Sequence, residues 1–213
     1  MARNKHPEAT VERILDVAQR LFLEKGYDQT TIQDIVDGLK GMTKGAVYHH
    51  FKSKEEIMSA VGDRMFFENN PFEAVRTRTD LNGLEKLREA VRLNQADEAR
   101  SRMTVQAVPI TQNPRVLVEM IESNRRVLTP YFLQLIEEGN RDGSIHTDYP
   151  REIAELLPLL TSLWLLPSVF PATPEELAHK FRFIGEMLEK MGLPLFDDSI
   201  RALVDDFLAQ IAL

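Results

Sequence analysis

The chain has 213 residues, of which 43% are hydrophobic and 28% are charged, and it contains no cysteine. This balance is typical of a folded globular protein, and the lack of thiols excludes disulfides, thiolate nucleophiles and cysteine-rich zinc sites. No stretch approaches roughly eighteen uninterrupted apolar residues and no apolar run follows the basic N-terminus, so we expect neither membrane span nor secretion signal, and a cytoplasmic location.

The formal net charge of −7 is unevenly distributed along the chain. Up to Lys54 there are nine Lys and Arg against seven Asp and Glu, whereas the remainder has seventeen against twenty-six. A mildly basic N-terminal segment on an acidic body is compatible with a DNA-binding domain joined to a domain that does not touch DNA. Because many solvated surfaces show the same difference, the charge pattern alone does not decide the function.

Apolar residues recur at intervals of three and four, which predicts an all-α protein. In the N-terminal part, proline begins the first helix and glycine ends it, as is usual. Thr31, Thr43 and Ser53 can each cap one of the three helices that follow, and Asp34 completes a capping box with Thr31. The pattern predicts helices over residues 7–26, 31–39, 43–51 and 53–69.

Longer helices are predicted in the second part of the chain. Pro130 lies inside one of them and predicts a kink, because proline removes one backbone hydrogen bond. The spacing predicts a helix after Asp80, a shorter one over Met103 to Val108, a long one from Asn113 and Pro114 to the turn at Gly139 to Ser144, and three more over Pro150 to Val169, Thr173 to Met191 and from Asp197 onward.

The second and third predicted helices are joined by Lys40, Gly41 and Met42 and braced by the first helix, which is a helix-turn-helix pattern. In that arrangement the later helix lies in the major groove of DNA, and its N-terminal residues reach phosphates and base edges. Thr43 and Lys44 stand at the positive end of the helix dipole, where a phosphate is favoured. Gly45 lets the DNA backbone approach closely.

Tyr48 and His49 lie four and five positions after Lys44, close to the same face of the helix. Metal binding and catalysis are the alternatives to DNA binding for this segment. The adjacent histidines point about 100 degrees apart and no carboxylate completes a site, so we expect no metal. Thr43 is better explained as a cap than as a nucleophile, and we expect no catalytic residue. A packed helix whose polar face has no function remains the alternative.

These residues resemble the N-terminal domain of a known family. The run ATVERILDVAQRLFLEKGYDQTTIQDIVDGLKGMTKGAVYHHFKSKEEIM is similar to the DNA-binding domain of the TetR/AcrR family of transcriptional regulators. The turn is one residue longer than is usual in that family. The matching positions are Gly26, Tyr27, Thr30, Thr31, Ile35, Gly45, Tyr48, Phe51, Lys54 and Glu55.

The resemblance implies a three-helix DNA-binding domain over residues 1–54 and a helical effector-binding and dimerisation domain over residues 55–213. It implies a repressor without cofactor that binds a palindromic double-stranded DNA operator as a homodimer and responds to a small-molecule effector. Arg3 and Lys5 belong either to a DNA-contacting arm or to a solvated tail. The resemblance places phosphate contacts on Thr31, Tyr48, Lys52 and Lys54, and base or groove contacts on Thr43, Lys44, Gly45 and His49.

Candidate effector contacts are found among apolar positions of the C-terminal body and the fourth helix. For Asn124, a hydrogen bond to another helix and a ligand contact are both open, since buried polar groups are nearly always satisfied. The other candidates line a pocket or are simply core. They are Phe66, Phe67, Met103, Met120, Tyr131 and Trp164.

The helices over residues 150–169 and 174–191 have wide apolar faces and are expected to pair with their symmetry mates as a four-helix bundle. The alternative is that these faces are buried inside one subunit. A different class of function also remains open, namely a helical-bundle small-molecule binding protein or enzyme that does not bind DNA. The sequence disfavours it, because no catalytic grouping or glycine-rich phosphate loop is found.

Overall fold

The computed structural model of the chain describes residues 7–107, 114–166 and 168–211. Every regular element within these ranges is helical, which confirms the predicted all-α class. In chain order the α-helices are α1 Pro7–Lys25, α2 Ile32–Gly38, α3 Lys44–His50, α4 Lys54–Glu68, α5 Pro71–Arg76, α6 Gly83–Ala96, α7 Glu98–Ala107, α8 Pro114–Ser123, α9 Thr129–Asp142, α10 Pro150–Leu159, α11 Pro174–Lys190 and α12 Asp198–Ile211; the π-helical turns are π1 Asn124–Leu128 and π2 Leu160–Trp164.

The predicted caps of the N-terminal helices are present. The Thr31 hydroxyl accepts from the Asp34 amide and the Asp34 carboxylate accepts from the Thr31 amide, which completes the capping box of α2. Thr43 caps α3 by accepting from the Ala46 amide, and Ser53 caps α4 in the same way. Each such cap stabilises its helix by about 1 kcal/mol.

One helix and several helix boundaries differ from the predicted ones. The helix α7 begins at Glu98 and not at Met103. The short helix α5 was not predicted, because Pro71 was interpreted only as the end of the preceding helix; Asn70 caps it and Pro71 is its first residue. The turn after α9 begins at Gly143, whose φ is 81°, and not at Gly139. The helix predicted to reach Val169 ends at Trp164, since Pro167 disfavours helical geometry at the residue before it.

The predicted kink at Pro130 takes the form of a π-helical turn. Pro130 has no amide hydrogen to give to the preceding turn, and π1 lies directly before the helix that contains it. At the end of π1 the Thr129 amide donates to the Asn124 carbonyl, five residues earlier. The wider turn thus replaces the regular α-helical pattern next to the proline. Asn113 and Val108, predicted to bound two helices, lie outside the described residues.

The chain divides into two compact units. The described residues of the first form α1 to α4 together with α7, and those of the second form α5, α6 and α8 to α12. The predicted functional boundary between residues 54 and 55 falls at the start of α4, and it stays a prediction because compactness does not define function. No helix in the described part of the chain is long and apolar enough to cross a membrane.

In the first unit, α1 contacts α2, α4 and α7. Its inward residues Ile14, Ala18 and Phe22 are fully buried. Arg64 of α4 reaches back across α1, where its guanidinium contacts Asp16 at 2.7 Å and Glu12 at 3.3 Å. The core of the first unit is therefore organised around α1.

In the second unit, α6 contacts α5, α9 and α12, and α9 contacts α10. The contact of α6 with α9 is made where Gly83 faces Gly139. A Cβ on Gly83 would lie 2.2 Å from the Gly139 nitrogen and 2.5 Å from its Cα. The two backbones can approach this closely because Gly83 has no side chain, whereas a Cβ on Gly139 would lie 2.4 Å from the Ile145 side chain instead.

We therefore expect Gly83→Ala to lower the free energy of unfolding by about 1–3 kcal/mol or more, because backbone atoms cannot yield to the added methyl group. The matched control is Gly62→Ala on the exposed face of α4, where a Cβ would meet nothing within 4 Å. That variant should gain about 0.5–1 kcal/mol from the higher helix propensity of alanine. Urea denaturation of both variants measures the difference, and equal stability would contradict the close helix contact.

Candidate DNA-binding site

The helix α3 presents two different faces. Val47 is fully buried and Phe51, which ends the helix, is also buried. The Phe51 amide donates to the Val47 carbonyl at 2.9 Å, so the last turn is closed. Lys44, Tyr48 and His49 lie on the outside, and Tyr48 is 44% exposed although it is a large aromatic residue. The predicted inward and outward residues of α3 are thus placed as expected.

Gly45 lies in the first turn of α3 and is exposed. A Cβ built on it would have the Thr43 hydroxyl, 3.9 Å away, as its nearest neighbour. That distance is an ordinary van der Waals contact, so packing within the protein does not require a glycine here. The missing side chain leaves the backbone at the N-terminus of α3 open to another molecule.

The polar side chains of the outer face are close together. The Lys44 ammonium lies 6.0 Å from the centre of the Tyr48 ring. The rings of His49 and His50 meet edge to face at 5.2 Å, with His50 half-buried. Within the described residues, no group of three His, Asp or Glu side chains is placed to hold a metal ion. The face therefore combines a cation, a phenol and an imidazole.

The predicted turn of Lys40, Gly41 and Met42 separates α2 from α3. Lys40 has a φ of 32° and Gly41 a φ of 89°, so two successive residues adopt left-handed backbone geometry. Lys40 is the unusual one, because non-glycine residues rarely adopt positive φ. The end of α2 is fixed to α1 just before this turn, since the Arg13 guanidinium donates to the Leu39 carbonyl at 3.0 Å.

The C-terminal end of α2 also packs closely against α1. A Cβ on Gly38 would lie 2.6 Å from a methyl carbon of Val17. Glycine at this position therefore lets the last turn of α2 rest directly on α1. The turn that precedes α3 thus starts from a fixed point.

Thr31, a predicted phosphate contact, is exposed at the start of α2. Its hydroxyl donates to the Asp34 carboxylate at 2.7 Å. Hydrogen bonds from the Thr31 side chain and backbone, and from Lys25, lower the pKa of Asp34 to about 2. The depressed pKa keeps this carboxylate ionised, so the capping interaction persists above the ordinary Asp value of 3.8 and is lost only as the pH falls through about 2.

The two lysines that follow α3 are placed differently. Lys52 is exposed, and its ammonium forms no ion pair within the described part of the chain. The Lys54 ammonium instead donates to the carbonyls of Tyr27 at 2.8 Å and Thr30 at 3.0 Å. Both were predicted phosphate contacts, and only Lys52 has its side chain directed away from the protein core. Arg3 and Lys5 lie outside the described residues.

The predicted effector contacts are divided between the two units. In the first unit, Met103 is buried, Phe66 is half-buried and Phe67 is exposed. The other four belong to the second unit, where Asn124 is buried and the remaining three are half-buried; these three are Met120, Tyr131 and Trp164.

Several of these side chains have partners inside the protein. The Asn124 amide donates to the Ser162 hydroxyl at 2.6 Å, which is the hydrogen bond between helices considered for it. The Tyr131 ring stacks on Phe72 at 5.1 Å. The Lys180 ammonium lies 5.4 Å from the centre of the Trp164 ring. Such contacts account for these positions as core, and effector binding stays a prediction for them.

Sequence reasoning did not identify the internal partners that fix this site. Arg13, Arg64 and Tyr27 hold α1 against α2 and α4. Their partners lie 26 to 52 residues away in the chain. Helical periodicity reports which face of a helix is buried, and it contains no information about such distant pairs.

A family model and a relative agree with this architecture. The model described as bacterial regulatory proteins, tetR family, matches residues 14–61, which contain α2 and α3. The HTH-type transcriptional repressor KstR2 of Rhodococcus jostii is 30% identical over 148 residues, which cover 66% of this chain and 70% of that protein.

Two further comparisons are more limited. The transposon Tn10 TetC protein of Escherichia coli is 37% identical over 81 residues, which cover 38% of this chain and 40% of that protein, so the match spans less than half of either. Among solved structures, Salmonella enterica GusR is similar with a TM-score of 0.60 and 20% identity, over 88% of this chain and 100% of that one. At this identity the structural likeness concerns the fold alone.

Proposed function

The chain belongs to the TetR family of bacterial regulatory proteins, and from this premise we propose that it is a ligand-responsive repressor that binds a palindromic DNA operator as a homodimer. A small-molecule effector releases it from the operator. The chain is a transcriptional regulator and not an enzyme, since its relatives are transcriptional repressors. We place its action in the cytoplasm, where bacterial DNA is found.

The observation that carries this proposal is the outer face of α3. Lys44, Tyr48 and His49 are exposed side by side, and Gly45 leaves the helix N-terminus uncovered. A helix N-terminus with a nearby cation favours phosphate, and an exposed helix of this kind fits the major groove. In this proposal Thr31, Tyr48 and Lys52 contact phosphates, and the groove contacts come from Thr43, Lys44, Gly45 and His49.

A second copy of the chain would cover the exposed apolar residues of α10 and α11. Part of the apolar faces of these two helices is already buried within the subunit, at Leu157, Ile184 and Leu188. Leu159 and Phe183 are instead 37% and 55% exposed, and the pairing surface in our proposal is centred on them. Large apolar residues that remain exposed on consecutive helices are typical of an interface.

For the dimer we expect sedimentation equilibrium to give twice the mass of one chain, and Phe183→Glu to shift the equilibrium toward monomer, because a carboxylate would be buried unpaired. The control is Val118→Glu on α8, a residue that is also exposed, at 56%. It should leave the mass unchanged. A parent protein that remains a monomer at all concentrations would contradict the dimer.

In this proposal the effector releases the dimer from DNA by changing the distance between its two α3 helices. Two copies of α3 must enter successive major grooves about 34 to 36 Å apart, so a modest change in their spacing breaks the fit. An effector can weaken DNA binding only through its different affinities for the two spacings, and a hundredfold effect requires about 2.7 kcal/mol of coupling. By the same coupling, operator DNA weakens the binding of the effector by the same factor.

Gly45→Ala tests the DNA-binding face directly. We expect the variant to fold with unchanged or higher stability, because the added Cβ would meet only the Thr43 hydroxyl, at 3.9 Å. Its affinity for operator DNA should fall tenfold or more, since the methyl group occupies the space where the DNA backbone approaches.

Fluorescence anisotropy with a duplex from the region flanking the coding sequence measures this affinity, and circular dichroism checks the fold. Gly62→Ala makes the same chemical change on α4 and should leave the affinity unchanged. If Gly45→Ala binds the duplex as tightly as the parent does, the N-terminus of α3 does not face DNA.

A further inference from the structure

The first turn of α4 holds the loop between α1 and α2. In addition to its hydrogen bonds with the Tyr27 and Thr30 carbonyls, the Lys54 ammonium lies 4.0 Å from the centre of the Tyr27 ring. An ammonium group has three N–H donors, so two are already used and the aromatic face covers part of the cation. A phosphate would find at most one donor free.

The loop that Lys54 holds is itself rigidly packed. Tyr27 is 5% exposed and Thr30 is fully buried. The Tyr27 hydroxyl donates to the Glu55 carboxylate at 3.2 Å, so two successive residues of α4 contact the same tyrosine. Burial, and then the nearby Glu55 charge, raise the pKa of Tyr27, and its phenol therefore stays protonated and can donate.

This contact leads directly to the DNA-binding helices. Thr30 immediately precedes Thr31, the residue that caps α2, and α2 contacts α3. A displacement of the first turn of α4 would therefore move a carbonyl next to the start of α2. Within the residues that the structure describes, the ammonium of Lys52, only two positions before Lys54, makes no comparable contact with the core.

We propose that Lys54 is a positioning residue, which fixes the orientation of α2 and α3 relative to α4, and that it does not contact phosphate. The inference rests on the proposed DNA-binding function and changes the role of one of its residues. Two lysines that the family resemblance places together on phosphates are thereby separated. In this proposal Lys52 contacts a DNA phosphate with its positive charge, whereas Lys54 holds α2 and α3 in their orientation relative to α4.

The two roles differ in their dependence on salt. We expect Lys52→Met to lower the affinity for an operator duplex and for a scrambled duplex alike. The slope of log affinity against log salt should become shallower by about 1.8, because each of the two Lys52 side chains of the dimer contributes about 0.9. Lys54→Met should leave that slope unchanged. It should weaken binding to the operator duplex about tenfold or more, with little change for the scrambled one, because only the specific complex needs the exact orientation of α3.

These titrations use fluorescence anisotropy over a series of salt concentrations, with the operator duplex defined by footprinting on the DNA that flanks the coding region. A shallower slope for Lys54→Met, or an operator affinity equal to that of the parent, would overturn the inference. A parent protein that binds neither duplex would contradict the proposed function instead, so the two failures are distinguishable.

A second measurement needs no substitution and holds even if Lys54→Met does not fold. Lysines of the parent protein are acetylated with acetic anhydride, with and without operator DNA, and the rates are followed by mass spectrometry. We expect Lys54 to react slowly in both states, and Lys52 to react fast in the free protein and slowly on DNA. Fast labelling of Lys54 that DNA suppresses would show a phosphate contact and overturn the inference.

Discussion

The burial of Val47 is the interaction on which the proposed DNA-binding face depends. The helix α3 has seven residues, and helices this short are not stable alone in water. Its orientation must come from the side chain that it inserts into the core, from the Thr43 cap at its start and from Phe51 at its end. Tyr48 points about 100° away from Val47 around the helix and remains exposed when Val47 is buried, so the proposed face for DNA is already present in the protein alone.

The rest of the first unit fixes the position of that core. The helix α1 is its central element: Arg13 holds the end of α2, and Arg64 crosses from α4 to Asp16. Lys54 completes the arrangement by joining α4 to the loop that precedes α2. Polar contacts at three points thus prevent α2 and α4 from sliding on an apolar surface that alone would allow several registers.

Local features were predictable from the sequence, and distant pairings were not. The caps at Thr31, Thr43 and Ser53 depend on residues three positions away, so the sequence contains the whole interaction. The inward role of Val47 follows from helical spacing in the same way. Lys54 contacts Tyr27 and Thr30, which lie 27 and 24 positions earlier in the chain. Its ammonium is directed toward the protein, whereas a lysine is ordinarily expected on the solvent-exposed surface. The periodic spacing of apolar residues likewise did not predict the short helix α5 or the π-helical turns near prolines.

The central claim, that the outer face of α3 enters the major groove, is tested most directly by site-specific DNA cleavage. The chain has no cysteine, so His49→Cys provides a unique thiol for an iron chelate that cleaves nearby DNA. We expect two cleavage patches in the operator, about one helical turn apart, each centred on a major groove. The control Arg151→Cys, at the exposed start of α10, should give none. Operator binding by the His49→Cys conjugate without cleavage would contradict the account.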